Sequence, residues 1–345
     1  MFFKGRITID PSQLTKIKVE KPEGAFKQML FHITGGSKGE KIEVETLNAV
    51  AVVQSLHKCF SGIGVDNIIR LNHDDLEIYF DNKGIKDDLS LAVDKYSIEI
   101  DHSMSTYFNT LWMVKEYEDN TFKYLIETSV NRSHRVNEYP IEIIVSGLLR
   151  EYQGQDKEAL KAKMQHNFSS QDQYDHFIQV HQAKFEGFLS SIAFEMKKHM
   201  RIDDVRIQTK KRMLVQREKA GKPRETHTPQ YGGAPYSYFG FSDFLMYSFL
   251  WSQLSFDNHL HVADVEVINE AGDMFADIGE AGLELGEGTI FDESIATEDL
   301  GDLASGSLEE LDKVGEGGFF DSMGDADGGG WFDSLGDGFD FDIDI

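Results

Sequence analysis

Cysteine is nearly missing from this chain: Cys59 stands alone among 345 residues. An intrachain disulfide framework is therefore excluded, and a reducing compartment, the cytoplasm, is the expected setting. Proline is scarce too. There are six, and three of them (Pro223, Pro229, Pro235) crowd into one stretch. No long apolar run is present. The nearest approach is "YSYFGFSDFLMYSFLWSQLSF", residues 236–256, which Asp243, Gln253 and five serines interrupt. A bilayer crossing needs about 20 mostly apolar residues, so no transmembrane segment is expected. The stretch reads as a buried helix over 244–254, capped by Ser242 or Asp243; a helix lying on a membrane surface is the alternative. The opening "MFFKGRITIDPSQL" has no apolar segment before a small-residue cleavage site, so no secretory signal is expected.

Positive charge is the other thing missing, and it is missing locally. Residues 271–345 hold 22 acidic side chains and one lysine, Lys313, so they carry -21 of the chain's net charge of -26. The first 270 residues are close to balanced. At 40 % hydrophobic and 27 % charged residues the composition is that of a globular body, which the acidic end only follows. Sixteen of the 31 glycines also fall after residue 270. One-signed charge with frequent glycine does not repay the entropy of ordering, so 271–345 is expected to be a disordered acidic tail that the fold can lose.

The body reads as α+β: a strand-rich mixed N-terminal part, a long amphipathic helix, and a second apolar helix. Over 1–153 the strand period dominates. "RITID", "LTKIKVE", "KQMLFHIT", "KIEVET", "DLEIYF", "LSLAV", "YSIEI", "FKYLIETSV" and "PIEIIVSGLL" are the expected strands, with one helix over 47–60 ended by Gly62 and Gly64. Residues 154–200 turn helical. Ser170 with Gln173 forms a capping box, and Tyr174, Phe177, Ile178, His181, Phe185, Phe188, Leu189, Ile192 and Met196 share one face. Bulk of this kind suits a helix lying across a sheet. Residues 201–240 read as a basic hinge or loop rich in Pro, Gly and Tyr. Its cations are Arg206, Lys210, Lys211, Arg212, Arg217, Lys219, Lys222 and Arg224, against Glu218 alone within 206–224. Residues 241–270 add the apolar helix and a strand-like "HLHVADVEVI" that complete the core.

Most chemical motifs fail on inspection. "GGSKGEK", residues 35–41, lacks the glycine before lysine that a phosphate loop needs, and "GIGVDN", residues 62–67, follows a helix where a dinucleotide fingerprint opens one. Cys59 lies on an apolar helix two residues from His57 and Ser61, a spacing at which side chains do not face each other, and reads as a small buried hydrophobe. "DADGGG", residues 325–330, has Gly336 where a calcium loop needs its closing glutamate. His134 and Arg135 fit an exposed turn. In "FDNHLHVAD" a strand would put Asp257, His259 and His261 on one face, a weak set for zinc or iron.

The tail carries the strongest signal. "FFDSMGD", residues 319–325, recurs as "WFDSLGD", residues 331–337, and "DGFDFDIDI" closes the chain with alternating apolar and acidic residues. Phe319, Phe320, Trp331, Phe332, Leu335, Phe339 and Phe341 supply anchors for a partner protein. The aspartates keep the free peptide soluble and steer it to basic surfaces, and two copies on one tether raise apparent affinity. Three functions follow. The first is a non-enzymatic adaptor or accessory protein that binds partner proteins through this tail. The second is a nucleic-acid-associated protein whose basic aromatic segment the tail covers. The third is a metal-dependent enzyme at Asp257, His259 and His261. With no partner present, the tail is expected to fold back onto the basic hinge.

Overall fold

A computed structural model of the chain describes residues 2–9, 17, 20–34, 41–74, 76–80, 109–132, 140–152, 157–214, 241–268 and 274–285. The fold is α+β. Its strands are β1 (Phe2–Ile9), β2 (Ile68–His73), β3 (Leu76–Phe80), β4 (Thr110–Glu118), β5 (Phe122–Asn131), β6 (Ile141–Leu149), β7 (Val205–Leu214), β8 (His261–Val262), β9 (Val265–Ile268), β10 (Met274–Ile278) and β11 (Leu283–Glu284). Nine of them form one sheet in the order β10-β9-β7-β1-β6-β5-β4-β2-β3, while β8 pairs with β11. All the pairings are antiparallel except β7 with β9. The helices are α1 (Gly24–Thr34), α2 (Lys41–Ser61), α3 (Lys157–Asn167), α4 (Gln171–Met200) and α5 (Phe241–Asp257).

The long helix α4 builds the core. Ser170 caps it with extended backbone, its hydroxyl accepting from the Gln173 amide, and Arg201 ends it in the left-handed region at φ 56°. Of the stripe read from sequence, Phe185, Leu189, Ile192 and Met196 are fully buried and Phe188 packs against the core. The sheet makes room with glycine. A Cβ on Gly5 of β1 would lie 2.5 Å from Leu189 Cδ1, and one on Gly147 of β6 would lie 2.8 Å from Phe185 Cε2. α4 therefore sits directly on the backbone of β1 and β6. Residues alternate across a strand, so Phe3, Gly5 and Ile7 face α4 while Lys4, Arg6 and Thr8 face away.

α5 is a buried helix, as its sequence implies: Trp251, Leu250 and Tyr247 are almost wholly enclosed. Tyr247 stacks on Tyr152 with ring centroids 5.0 Å apart, and Trp251 meets Phe168 and Tyr174 at 6.4 and 6.2 Å. The helix starts at Phe241, so Ser242 and Asp243 lie inside it rather than capping it. Among the described residues no helix is long and apolar enough to cross a membrane.

Four expectations are corrected. "KQMLFHIT" belongs to helix α1, not to a strand. Its buried residues Phe26, Met29 and Ile33 recur at helical spacing, and Gln54 of α2 accepts from the Glu23 amide at 2.7 Å, satisfying a donor at the helix start. "KIEVET" forms the first turns of α2, which begins at Lys41 and not at residue 47. Residues 205–214, assigned to the hinge, are β7, an inner strand held by eight paired positions to β1 and four to β9. Residues 274–278 and 283–284, assigned to the tail, are β10 and β11. Ala276, Ile278 and Leu285 lie in the core, so the acidic composition starts before the fold ends. Strands β2 and β4, which no alternation announced, also complete the sheet. The strands expected at "LSLAV" and "YSIEI" fall outside the described residues.

Candidate functional site

The sheet face opposite α4 carries a band of paired charge. On β1 and β7 the register sets Lys4 opposite Lys210 and Phe2 opposite Arg212, bringing like charges together. Acidic residues of β9 and β10 answer them. Arg212 Nε lies 2.6 Å from Glu266 Oε2, Lys4 Nζ 3.6 Å from the same oxygen, and Lys210 Nζ 3.2 Å from Asp277 Oδ1 and 3.8 Å from Asp264 Oδ1. Arg6 pairs with Glu142 across β1 and β6. Burial opposes ionisation of Glu266, but the Arg212 guanidinium and the Lys4 ammonium outweigh it and hold the carboxyl below its usual range. Lys4 is pushed down by burial and by Arg212. Arg212, Glu266 and Lys4, with side chains 16–18 % exposed, are screened by water less than the more open Lys210 and Arg6 pairs.

Glu127 of β5 sits deeper on the same face, 6 % exposed. Burial raises its carboxyl to about 7, although Arg212 and Lys4 pull the other way. A carboxyl with a raised folded pKa gives most stability below its unfolded value near 4.5, and that stability is lost as pH rises through 7. Glu127→Gln should therefore stabilise the fold at pH 8 by about 1–3 kcal/mol, seen as a higher denaturant midpoint, and leave it unchanged at pH 4.5. A stability profile in which the variant and the native chain run parallel across that range would show that Glu127 ionises as readily inside the fold as in the unfolded chain, so that burial does not raise its pKa.

The helix-covered face holds a second buried pair. Lys115 of β4 is fully enclosed and donates to His57 Nδ1 at 2.8 Å and to the Asp66 carbonyl at 3.0 Å. Burial, and then the Lys115 charge, press the His57 imidazole down to about 4, so it stays neutral and accepts. Two residues further along α2, Cys59 is buried, with its thiol against the Glu195 carbonyl at 3.7 Å. Burial pushes that thiol up to about 12, so it is no nucleophile at neutral pH. The reading of Cys59 as a buried hydrophobe holds.

The residues singled out from sequence fare unevenly. Asp257 is the last residue of α5, His259 lies in a turn at φ 50°, and His261 starts β8. The shared strand face expected for a metal does not form. His261 is instead fastened through its backbone, its amide donating to Gln171 Oε1 at 2.8 Å and its carbonyl accepting from Gln171 Nε2 at 3.2 Å. Among the described residues no group of three His, Cys, Asp or Glu side chains could hold a metal ion. Of the eight hinge cations, four lie on β7. Arg206 pairs with Asp204 at 3.7 Å, Lys210 and Arg212 are matched as above, and Lys211 is buried on the helix side with its amine lowered by burial. Arg217, Lys219, Lys222 and Arg224 lie outside the described residues, as do His134, Arg135 and every tail anchor: Phe319, Phe320, Trp331, Phe332, Leu335, Phe339 and Phe341.

Glu127 and Lys115 were missed by sequence reasoning. Their signal was a lone charge inside an apolar strand, in "LIETSV" and in "LWMVKEY". Comparison with protein-family models, curated proteins and solved structures found no match to this chain.

Proposed function

We propose that the chain is a soluble, cytoplasmic, non-enzymatic adaptor or accessory protein that captures partner proteins through its acidic aromatic tail. The observation that carries this is the repeat: seven residues at 319–325 and again at 331–337, with five identical and two apolar positions exchanged for other apolar residues. A bivalent peptide needs two equivalent anchors on one tether, and this is that arrangement. The last residue of the described core is Leu285, sixty residues before the end of the chain. The matched charges of the β7–β1 band and the enclosed pair of neutral His57 with Lys115 read as structural, which favours a binding role over catalysis. The nucleic-acid reading is the weaker one, because four of its eight cations are strand residues already paired or buried.

The test is capture by the full chain. Trp331→Ala with Phe332→Ala should weaken it, by about 2 kcal/mol per lost anchor if each is well enclosed by the partner. Adding Phe319→Ala and Phe320→Ala should weaken it further than either pair alone. Capture indifferent to all four would reduce the repeat to compositional drift.

A further inference from the structure

The outer face of α4 does not look like the solvated side of an amphipathic helix, which is normally lined with charges of both signs. From Gly187 onward its exposed residues are Gly187, Ser190, Ser191, Phe194, Lys197, Lys198 and His199. A Cβ on Gly187 would meet nothing within 4 Å, and the Phe194 ring is 63 % exposed. Helical spacing puts Ser190 and Ser191 one turn before Phe194, and Lys197 and Lys198 one turn after it. No exposed carboxylate lies between Gly187 and Arg201; Glu195, the acid in that span, is 8 % exposed and engaged by Lys198 and His199 at 3.2 and 2.9 Å. Lys197 and Arg201 have no acidic partner among the described residues. Cations in a last turn suit the helix dipole, but a bare phenyl ring beside them does not follow from it.

We infer that this face of α4, around Phe194, Lys197 and Lys198, is the resting place of the chain's own residues 319–345. The inference rests on the reading of the tail as a binding peptide, and it moves the fold-back contact expected at the basic hinge to a surface where Lys197 and Arg201 have no acidic partner among the described residues and Lys198, though paired with Glu195, stays 54 % exposed. Charge complementarity is the first argument: residues 286–345 hold eighteen acidic side chains and one lysine. Chain geometry is the second. The Leu285 amide donates to the Leu260 carbonyl at 3.0 Å, and Glu284 pairs with His261, whose backbone Gln171 holds. The chain therefore leaves the described fold beside the first residue of α4. Phe194 is 23 residues along the helix, about 35 Å away at about 1.5 Å per residue. The repeats begin 34 and 46 residues beyond Leu285. Flexible glycine-rich chains of those lengths span about 29–35 Å and about 34–41 Å. Effective concentration peaks when tether length matches the gap, and both repeats are close to that match. Bound this way, an aromatic of either repeat lies on Phe194 and its aspartates reach Lys197, Lys198 and Arg201. A partner protein displaces that contact when it takes the tail.

Energy transfer in the full chain tests this. One label goes on Ala183→Cys, on the same exposed face of α4, and the other on Ala326→Cys between the repeats, in a Cys59→Ala background. Transfer should be high at low salt and fall as salt rises. It should be largely lost in Phe194→Ser with Lys197→Gln and Lys198→Gln, all exposed positions that leave the core intact. It should also be lost when Trp331, Phe332, Phe319 and Phe320 become alanine. Transfer unaffected by both sets would overturn the inference. Transfer that excess unlabelled chain dilutes away would overturn it too, because the tail would then lie on a neighbouring copy. The readout contains no partner, so its failure leaves the capture test untouched, and failure of capture leaves this contact standing.

Discussion

A chain ended after Glu270 should be far less stable than one ended after Leu285. The first loses β10 and β11, and with them the buried side chains of Ala276, Ile278 and Leu285. Removing one buried Ile or Leu side chain commonly costs about 2–5 kcal/mol. Together the losses should reach about 5 kcal/mol or more, a large share of the 5–15 kcal/mol that holds a domain folded. The cut also bares β9, where Val265, Val267 and Ile268 are buried, and an apolar unpaired edge invites aggregation. Denaturant midpoints of the two truncations against the full chain measure this. The chain ended after Leu285 should keep the full-length midpoint. Equal midpoints for both truncations would show that β10 adds nothing to the sheet.

Phe185→Ala should lower stability by about 3–5 kcal/mol. Phe185 is fully buried, with ring centroids 5.6 Å from Phe3, 5.8 Å from Phe122 and 6.1 Å from Tyr124. It fills the space above Gly147 that no other side chain enters as closely. The reciprocal change, Gly147→Ala, should cost about 1–3 kcal/mol by overpacking. Combined with Phe185→Leu, Gly147→Ala should cost less than the sum of the two single changes, because the shorter side chain vacates the contact. A Phe185→Ala loss under about 1 kcal/mol, beyond what relaxation commonly recovers, would mean that α4 does not rest on β1 and β6 as described.

The parts of the fold that sequence revealed are those where one periodicity acts alone. α4 has a cap, a stripe and thirty residues in which to show them. β5 and β6 alternate, or run apolar, between clear turns. Reading failed where a polar side chain occupies an inward position. β4 hides because Lys115 sits at a core position and finds its partners on α2 and in the Asp66 carbonyl, neither visible from sequence. β7 hides for the same reason doubled: Lys211 points inward, and Arg206, Lys210 and Arg212 take up the other face, so it reads as polar on both sides. Its neighbours supply what its sequence lacks, two ladders and the carboxylates of β9 and β10. Those same carboxylates explain the misplaced tail boundary. Asp277 reads as tail acidity by composition, but it is the partner of Lys210. α1 was mistaken for a strand because Met29-Leu30-Phe31 reads as a short apolar run; its helical face shows only at Phe26, Met29 and Ile33.

In the function proposed above, the fold is a scaffold and the tail is the binding element. Capture from a cell extract by three immobilised proteins tests it most directly: the full chain, the chain with Phe319, Phe320, Trp331 and Phe332 changed to alanine, and the chain ended after Leu285. One or more proteins should be held by the full chain, sharply reduced on the four-alanine chain and missing from the truncated one. The same proteins held equally by all three would place binding on the scaffold and contradict it.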